Sequence, residues 1–184
     1  MIYGLNIFEY SHGPSDFSKQ QKRYTEEMLG LGMDIAAALK QLHALGFVHL
    51  DVKPDNFVCV EADGELRWKL GDYGSAIPVS EQGRSVRTGT RRFMAPEVLS
   101  HSKISYSADV YSWGCAMISL VAGSEWNTQD AYQFKFDEGV TINNVCWWKT
   151  SSETEIALWK IVARAVVPNP KARFRDGGEL LAAL

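Results

Sequence analysis

The sequence has few of the features that mark secreted or membrane-spanning proteins. Its 184 residues include three cysteines, an odd number with no C-x-x-C pair, so free thiols in a reducing compartment are expected rather than a disulfide framework. The apolar stretch over residues 110–121 is too short to span a bilayer. The first residues contain no basic segment followed by a long apolar run. Together these features argue against secretion and against membrane insertion.

No charge of one sign dominates the chain. Lys and Arg number 19 against 22 Asp and Glu, and the resulting net charge of −3 gives no reason to expect a nucleic acid or an anionic membrane as partner. Hydrophobic residues make up 46% and charged residues 22%, the proportions of an ordinary soluble globular domain. We therefore expect one domain over residues 1–184, located in the cytoplasm, with the nucleus left open.

Helical periodicity predicts most of the secondary structure. An amphipathic helix is expected from Thr25, as its N-cap, to Gly46, as the residue just beyond its end. A second helix, from Ser107 to Gly123, is apolar nearly all round, which indicates burial in the middle of the domain. Further helices are expected over residues 153–167 and 178–184, and an apolar strand over residues 2–8.

The segment between the first two helices predicts a β-hairpin that reverses at Asp63-Gly64. Pairing about that turn places Phe57 opposite Leu70 and Cys59 opposite Trp68. Directly opposed residues share a face, so the register gives the hairpin one apolar side. Its members are Phe57, Cys59, Leu66, Trp68 and Leu70. Everything after the hairpin is expected to be helix or loop.

The loop before the hairpin contains the residues that point to chemistry. It holds a carboxylate at Asp51, an ammonium group at Lys53 and a carboxamide at Asn56, and the hairpin register delivers a second carboxylate, Asp72, beside that carboxamide. Phosphoryl transfer needs such parts: an acceptor for the proton of a hydroxyl, oxygen ligands for Mg²⁺, and a cation for the migrating group. A solvated surface turn is the alternative interpretation of the loop alone, and the motifs Asp72-Tyr73-Gly74 and Ala95-Pro96-Glu97 downstream argue against it.

With these ordered motifs the sequence resembles the eukaryotic-type protein kinases, specifically the large C-terminal lobe of the Ser/Thr type. The resemblance implies an α+β, mainly α fold with a small β-hairpin beside the catalytic loop. Residues 1–13 would form the last small-lobe strand and the hinge, and residues 14–184 the helical lobe with catalytic loop and activation segment. The implied activity is transfer of the ATP γ-phosphoryl group, with Mg²⁺, to a Ser or Thr hydroxyl of a protein or peptide.

The resemblance also implies roles for individual catalytic residues. Asp51 would be the catalytic base, and Lys53 would contact the γ-phosphate, which favours Ser/Thr over Tyr kinases. Asn56 and Asp72 would hold the magnesium ions, and Thr90 would hydrogen-bond Asp51 and Lys53.

Further positions match the family's binding and bracing residues. The backbone of Glu9 and Ser11 would bind adenine above Val58. Asp109 would fix the backbone of the catalytic loop. Glu97 and Arg173 would form the buried ion pair that braces the activation segment.

Two departures from the family accompany the resemblance. Leu50 stands where the family has an arginine that pairs with an activation-segment phosphate, so Ser85 and Thr88 would lack that receptor cation. Only about eight residues precede the hinge, and the sequence has no glycine-rich phosphate loop. We therefore carry two hypotheses: a kinase whose small lobe is missing from this sequence, or a catalytically weak, lobe-only homologue that binds partners. A small-molecule kinase is disfavoured by the peptide-docking motifs.

Several remaining features have structural interpretations. The strand over residues 2–8, without sheet partners, is expected to self-associate, fold back or fray. His43 is expected at the surface or boundary, and His49 is expected to pack against Tyr73 rather than act as a base. The arginines between residues 84 and 92 are either a solvated loop face or a selector of acidic or phosphorylated partners.

Overall fold

A computed structural model of the chain describes residues 14–62, 64–81, 89–100, 104–122 and 152–184. In chain order the described helices and strands are α1 (Pro14–Ala44), β1 (Phe47–Val48), β2 (Phe57–Ala62), β3 (Glu65–Leu70), β4 (Ile77–Pro78), α2 (Pro96–Leu99), α3 (Ser107–Ala122), α4 (Glu153–Ala165) and α5 (Gly177–Ala183). Short 3-10 turns cover Pro54–Asn56, Tyr73–Ser75, Arg91–Phe93 and Pro170–Ala172. This part of the chain is mainly helical with small antiparallel sheets, which confirms the predicted α+β class.

Helix α1 begins much earlier than the sequence pattern predicted. It starts at Pro14, so the expected N-cap at Thr25 was wrong, and Thr25 is buried within the helix. Proline suits a first helical turn because its missing N–H would have no partner there. The polar residues that follow Pro14 carry no apolar period, so nothing in their pattern marked them as helical. The far end agrees with prediction: the helix stops at Ala44, and Gly46 takes a left-handed conformation with φ of +86°.

The core of the described chain lies where α1 crosses α3. Every residue of α3 from Ser107 to Ile118 is buried, as its apolar sequence predicted. The Trp113 indole donates a hydrogen bond of 3.2 Å to the carbonyl of Gly32 on α1. A side chain at Gly32 would place its Cβ 3.2 Å from the Trp113 ring, so a larger residue there would require the Trp113 side chain to shift by a few tenths of an ångström. Helix α3 is therefore a central element of the core, where it packs against α1, α4 and α5.

The hairpin forms in the predicted register. Phe57 pairs with Leu70 and Cys59 with Trp68 across a turn at Gly64, which has a φ of +78°. The predicted apolar side packs at one end only. There Phe57 and Leu70 are buried, while Cys59 is exposed and Leu66 is 72% exposed at the far end. Trp68, in the middle of β3, is half-buried against the core, so burial decreases along the hairpin toward its turn and does not follow the register alone.

A second, very small sheet corrects the expectation that only helix and loop follow the hairpin. Strand β4 pairs antiparallel with β1, so that Val48 lies opposite Ile77. The backbone N–H of Val79 also donates to the carbonyl of Gly46 at 2.8 Å. Strands of two residues carry no readable alternation, which is why the pattern did not reveal them. The sheet ties the chain that follows Asp72 to the end of α1.

The last two helices lie close to their predicted ranges. Ser152 caps α4 by accepting from the backbone N–H of Glu155, and Asp176 caps α5 by accepting from those of Gly178 and Glu179. No helix in the described ranges has the length and hydropathy needed to cross a bilayer. The predicted strand at residues 2–8, the turn residue Asp63 and the predicted helix end at Gly123 lie outside the described residues.

Candidate functional site

The loop that carries Asp51 is held in place by a buried carboxylate at the start of α3. Asp109 accepts the backbone N–H of His49 at 2.7 Å and that of Leu50 at 2.8 Å. Leu50 adopts a left-handed conformation with φ of +66°, which non-glycine residues rarely take. Because Asp109 is fully buried, its charge depends on these donors for compensation. It therefore fixes the loop backbone one residue before Asp51.

His43 also contacts Asp109, which corrects its expected place at the surface or boundary of the fold. The ring is buried, its Nε2 lies 2.9 Å from the Asp109 carboxylate, and its Nδ1 accepts the backbone N–H of Gly177 at 2.9 Å. Since Nδ1 accepts, Nε2 carries the proton and donates to Asp109. The helical pattern placed His43 at the edge of the apolar face, but it carried no sign of a partner 66 residues away. His43 thus links α1, α3 and α5 behind the loop.

Asp51 lies at the centre of a compact hydrogen-bonded group. Its Oδ1 accepts both the backbone N–H and the hydroxyl of Thr90, each at 2.8 Å. The Lys53 Nζ lies 2.8 Å from Asp51 Oδ2 and donates to the Thr90 hydroxyl at 2.8 Å. Asn56 Nδ2 donates to the Asp51 carbonyl at 2.8 Å and reaches its carboxylate at 3.3 Å. These four residues, brought together from two separate segments, are four of the five that were predicted to form the catalytic site; the fifth is Asp72.

The same contacts keep Asp51 ionised. Burial by itself raises the pKa of the carboxyl, but hydrogen bonds from Lys53 and Thr90, together with the Lys53 charge, outweigh it and lower the pKa below its ordinary value. Only 8% of the residue is exposed. An ionised, nearly enclosed carboxylate of this kind can orient a hydroxyl group and accept its proton.

The hairpin brings the backbone of Gly71, and with it Asp72, beside the loop. The backbone N–H of Gly71 donates to the Asn56 carbonyl at 2.8 Å, so the next residue, Asp72, begins directly beside the loop. Asp72 has a left-handed φ of +54°, and its Oδ1 accepts the N–H of Gly74 at 3.2 Å. Its side chain is exposed. The carboxylate is therefore accessible to a ligand from solvent.

The side-chain oxygens of Asn56 and Asp72 could supply part of the ligand set of Mg²⁺. Because Asn56 donates through Nδ2, its Oδ1 is the atom of that amide with ligand chemistry, and Asp72 adds a carboxylate. Magnesium prefers oxygen ligands and commonly takes only one or two from the protein, with phosphate and water as the others. Within the described ranges no three or more His, Cys, Asp or Glu side chains gather as a metal cluster. The pair suits an ion shared with a phosphate ligand, not a closed protein cage.

Comparison with known proteins settles the family. The protein kinase domain family matches residues 5–175. The chain belongs to the protein kinases. Smooth-muscle myosin light chain kinase of Gallus gallus is 39% identical over 124 residues, covering 67% of this chain and 6% of that protein. Serine/threonine-protein kinase chk-2 of Caenorhabditis elegans is 27% identical over 166 residues, covering 83% of this chain and 35% of that protein.

A third relative agrees, and the predicted resemblance to eukaryotic-type protein kinases is confirmed. Aurora/IPL1-related protein kinase 2 of Caenorhabditis briggsae is 32% identical over 120 residues, covering 64% of this chain and 39% of that protein. The chain thus spans well under half the length of each of these relatives.

A buried ion pair braces the segment around Glu97. Arg173 donates to both carboxylate oxygens of Glu97, at 2.7 and 3.0 Å. The same guanidinium donates to the backbone carbonyls of Ser107, Val167 and Pro168. All these donors find acceptors, so the buried charge is compensated. The predicted pair therefore exists, and it connects α2 to the start of α3 and to the turn after α4.

Several other predicted residues occupy simpler environments. His49 is fully buried, its ring centroid lies 5.1 Å from that of Tyr73, and its Nε2 lies 3.1 Å from the Gly71 carbonyl, which confirms the predicted packing. Val58 is 49% exposed on β2. Burial raises the pKa of the Cys115 thiol to about 12, so this cysteine stays protonated. Glu9, Ser11, Ser85 and Thr88 lie outside the described residues.

Proposed function

We propose that the chain carries the catalytic site of an ATP-dependent protein serine/threonine kinase. The observation that carries the proposal is the Asp51 carboxylate, which is ionised and bound by Thr90 and Lys53 in one hydrogen-bonded group. A substrate hydroxyl beside Asp51 would meet both an acceptor for its proton and, in Lys53, a cation for the incoming phosphoryl group.

The proposed reaction begins with a Ser or Thr hydroxyl of a protein hydrogen-bonded to Asp51. Its oxygen attacks the γ-phosphorus of ATP, a new P–O bond forms, and the bond from that phosphorus to the β–γ bridging oxygen breaks. ADP leaves with the electron pair, and the hydroxyl proton passes to Asp51 and then to solvent. Lys53, whose Nζ lies 2.8 Å from the Asp51 carboxylate, stabilises the negative charge on the transferred group.

The remaining binding roles follow the family resemblance. Asn56 and Asp72 would hold Mg²⁺, which supplies charge neutralisation on the phosphates when bound. Val58 would contact adenine, in keeping with its half-exposed apolar side chain on β2. Glu9 and Ser11 would offer backbone groups to the same base.

The second candidate function is a partner-binding module with weak or no catalysis. A chain of these 184 residues alone has no G-x-G-x-x-G phosphate loop, so on its own it would lack the contacts that cover the ATP phosphates in kinases. The two candidates share the fold and differ in whether Asp51 and Asp72 matter for phosphate transfer.

The test measures Mg²⁺-ATP binding and transfer of labelled phosphate from ATP to a basic protein and to Ser, Thr and Tyr peptides. For an enzyme, Asp51→Asn is expected to lower transfer about 10²- to 10⁴-fold while ATP binding persists, and Asp72→Ala is expected to weaken the magnesium-dependent part of ATP binding. Lys171→Gln, at an exposed position, is the control. Equal labelling by the wild type and Asp51→Asn would contradict catalysis by this site, and partner binding without transfer would favour the module.

A further inference from the structure

Arg91 lies directly beside the proposed acceptor site. It follows Thr90, whose N–H and hydroxyl both bind the Asp51 carboxylate, and it opens the 3-10 turn Arg91–Phe93. Its side chain is exposed to solvent. Arg92 is half-buried, with its guanidinium carbon 5.8 Å from the centroid of the Phe93 ring. Of these two neighbouring cations, Arg91 is the one displayed at the surface.

The turn that carries Arg91 is firmly anchored. The backbone N–H of Phe93 donates to the Thr90 carbonyl at 2.8 Å, and the Phe93 side chain is buried. The Ser112 hydroxyl on α3 donates to the Phe93 carbonyl at 2.8 Å. The position of Arg91 relative to Asp51 is therefore set by the core rather than by a free loop.

The length of the Arg91 side chain limits which residues of a bound substrate it could contact. Consecutive Cα atoms are about 3.8 Å apart, and an extended peptide advances about 3.3 Å per residue. A hydroxyl seated at Asp51 therefore brings the substrate residues within about three positions of it into the range of the long Arg91 side chain. A charge on one of those residues would meet Arg91 before any more distant cation.

The chemistry of the group defines what it selects. A guanidinium offers a planar fork of N–H donors that matches a carboxylate or a phosphate. The chain as a whole is acidic, with a net charge of −3, so the exposed positive charge of Arg91 is a local feature of this turn. We propose that Arg91 selects substrates that carry a carboxylate or phosphate group within about three residues of the acceptor hydroxyl. The inference rests on the proposed function, because it takes Asp51 as the acceptor site.

The test measures binding of short labelled peptides by fluorescence anisotropy without ATP. Each peptide has one Ser in a neutral background and a single Asp, phosphoserine, Asn or Lys placed in turn at each flanking position. We expect Asp or phosphoserine, at one or more positions, to bind about fivefold tighter than Asn, and high salt to reduce the difference. The Asp and phosphoserine series distinguish a carboxylate from a phosphate as the preferred group.

Four variants assign the effect to Arg91. Arg91→Gln should remove the preference, Arg91→Lys should retain part of it, and Arg91→Glu should transfer it to the Lys peptides. The control, Lys171→Glu, changes the net charge by the same amount as Arg91→Glu, at an exposed position on another 3-10 turn. It should keep the preference for the acidic peptides. Thermal unfolding of each variant checks that the fold is intact.

The outcomes separate this inference from the proposed function. Absence of any acidic preference in the wild type, its persistence in Arg91→Gln, or its equal loss in Lys171→Glu would overturn the role of Arg91. Phosphate transfer from ATP to the same peptides is measured in parallel. Arg91-dependent binding without transfer would contradict the enzyme and the substrate role of Arg91 together, and would leave Arg91 as the anion-binding residue of a partner-binding module.

Discussion

The carbonyl oxygen of Leu50 lies so close to Gly89 that a Cβ added to Gly89 would sit 2.3 Å from it. Both residues have left-handed backbone conformations, with φ of +66° for Leu50 and +101° for Gly89. The two segments that form the Asp51 site therefore meet backbone against backbone. Thr90 reaches the Asp51 carboxylate because the residue before it has no side chain.

Replacing Gly89 by Ala should destabilise the protein. The added Cβ would meet a backbone atom that cannot rotate away, at a φ that L-residues avoid, and the loss is expected to be about 2–4 kcal/mol in the free energy of unfolding. Gly30→Ala is the control, since nothing lies within 4 Å of a Cβ there and alanine in a helix interior should add about 0.5–1 kcal/mol. Urea unfolding of both variants provides the comparison. Wild-type stability for Gly89→Ala would contradict the close approach.

Asp109→Asn should destabilise the protein, because Asp109 at the start of α3 holds the backbone of the loop that contains Asp51. Two carboxylate oxygens accept from His49, Leu50 and His43, and an amide offers one oxygen while its NH₂ group faces a donor. A loss of about 3 kcal/mol in the free energy of unfolding is expected, because buried donors lose their acceptor. Asp55→Asn makes the same change at an exposed position of the loop and should stay within about 0.5 kcal/mol. If the two variants unfold alike, Asp109 does not hold the loop.

Arg173→Lys should fail to replace arginine although the charge is kept. The three guanidinium nitrogens together donate to both Glu97 carboxylate oxygens and to three backbone carbonyls. One ammonium nitrogen cannot reproduce this planar arrangement of donors. Arg173→Met, which leaves Glu97 buried without a partner, should cost about 3–5 kcal/mol.

A double variant and a surface control complete that experiment. Adding Glu97→Met to Arg173→Met should recover part of the loss, because the uncompensated charge is gone. Arg175→Lys changes an exposed arginine paired with Asp176 and should have an effect below about 1 kcal/mol. Chemical unfolding measures all four proteins, and a double variant no more stable than Arg173→Met would argue against the buried charge as the cause.

The sequence predicted those features whose signal is local. The hairpin register follows from an Asp-Gly reversal between alternating residues, and the Asp51 loop holds Lys53 and Asn56 within five positions. Burial of α3 followed from a helix that is apolar on all sides.

The missed features depend on contacts between distant segments. His43 lies at the edge of a helix face and is buried only because Asp109 and Gly177 meet it there. The β1–β4 sheet is too short for alternation to be visible. The contact between Thr90 and Asp51 is not a missed feature, but its prediction comes from the family resemblance alone. No spacing in the sequence connects two residues 39 positions apart.

Asp34 should make the fold sensitive to acid through its contacts with the hairpin. It accepts Arg67 Nη2 at 2.6 Å and the backbone N–H of Trp68 at 2.8 Å. Burial raises the pKa of Asp34, but these donors and the Arg67 charge outweigh it and bring the pKa below its ordinary 3.8. Because the folded carboxyl holds its proton less tightly than the unfolded one, its contribution is fully present above the ordinary pKa and disappears as the pH falls through the folded value.

Asp34→Asn should therefore lower the free energy of unfolding by about 1 kcal/mol at neutral pH and by progressively less at acidic pH. Urea unfolding of the wild type and the variant over a pH series from neutral to below 3.8 measures the difference. Asp55→Asn, exposed and carrying the same change of charge, controls for net charge. The difference in unfolding free energy between wild type and Asp34→Asn could instead stay constant down to the lowest pH. That result would contradict the assignment, because protonation of Asp34 would then cost the protein no stability.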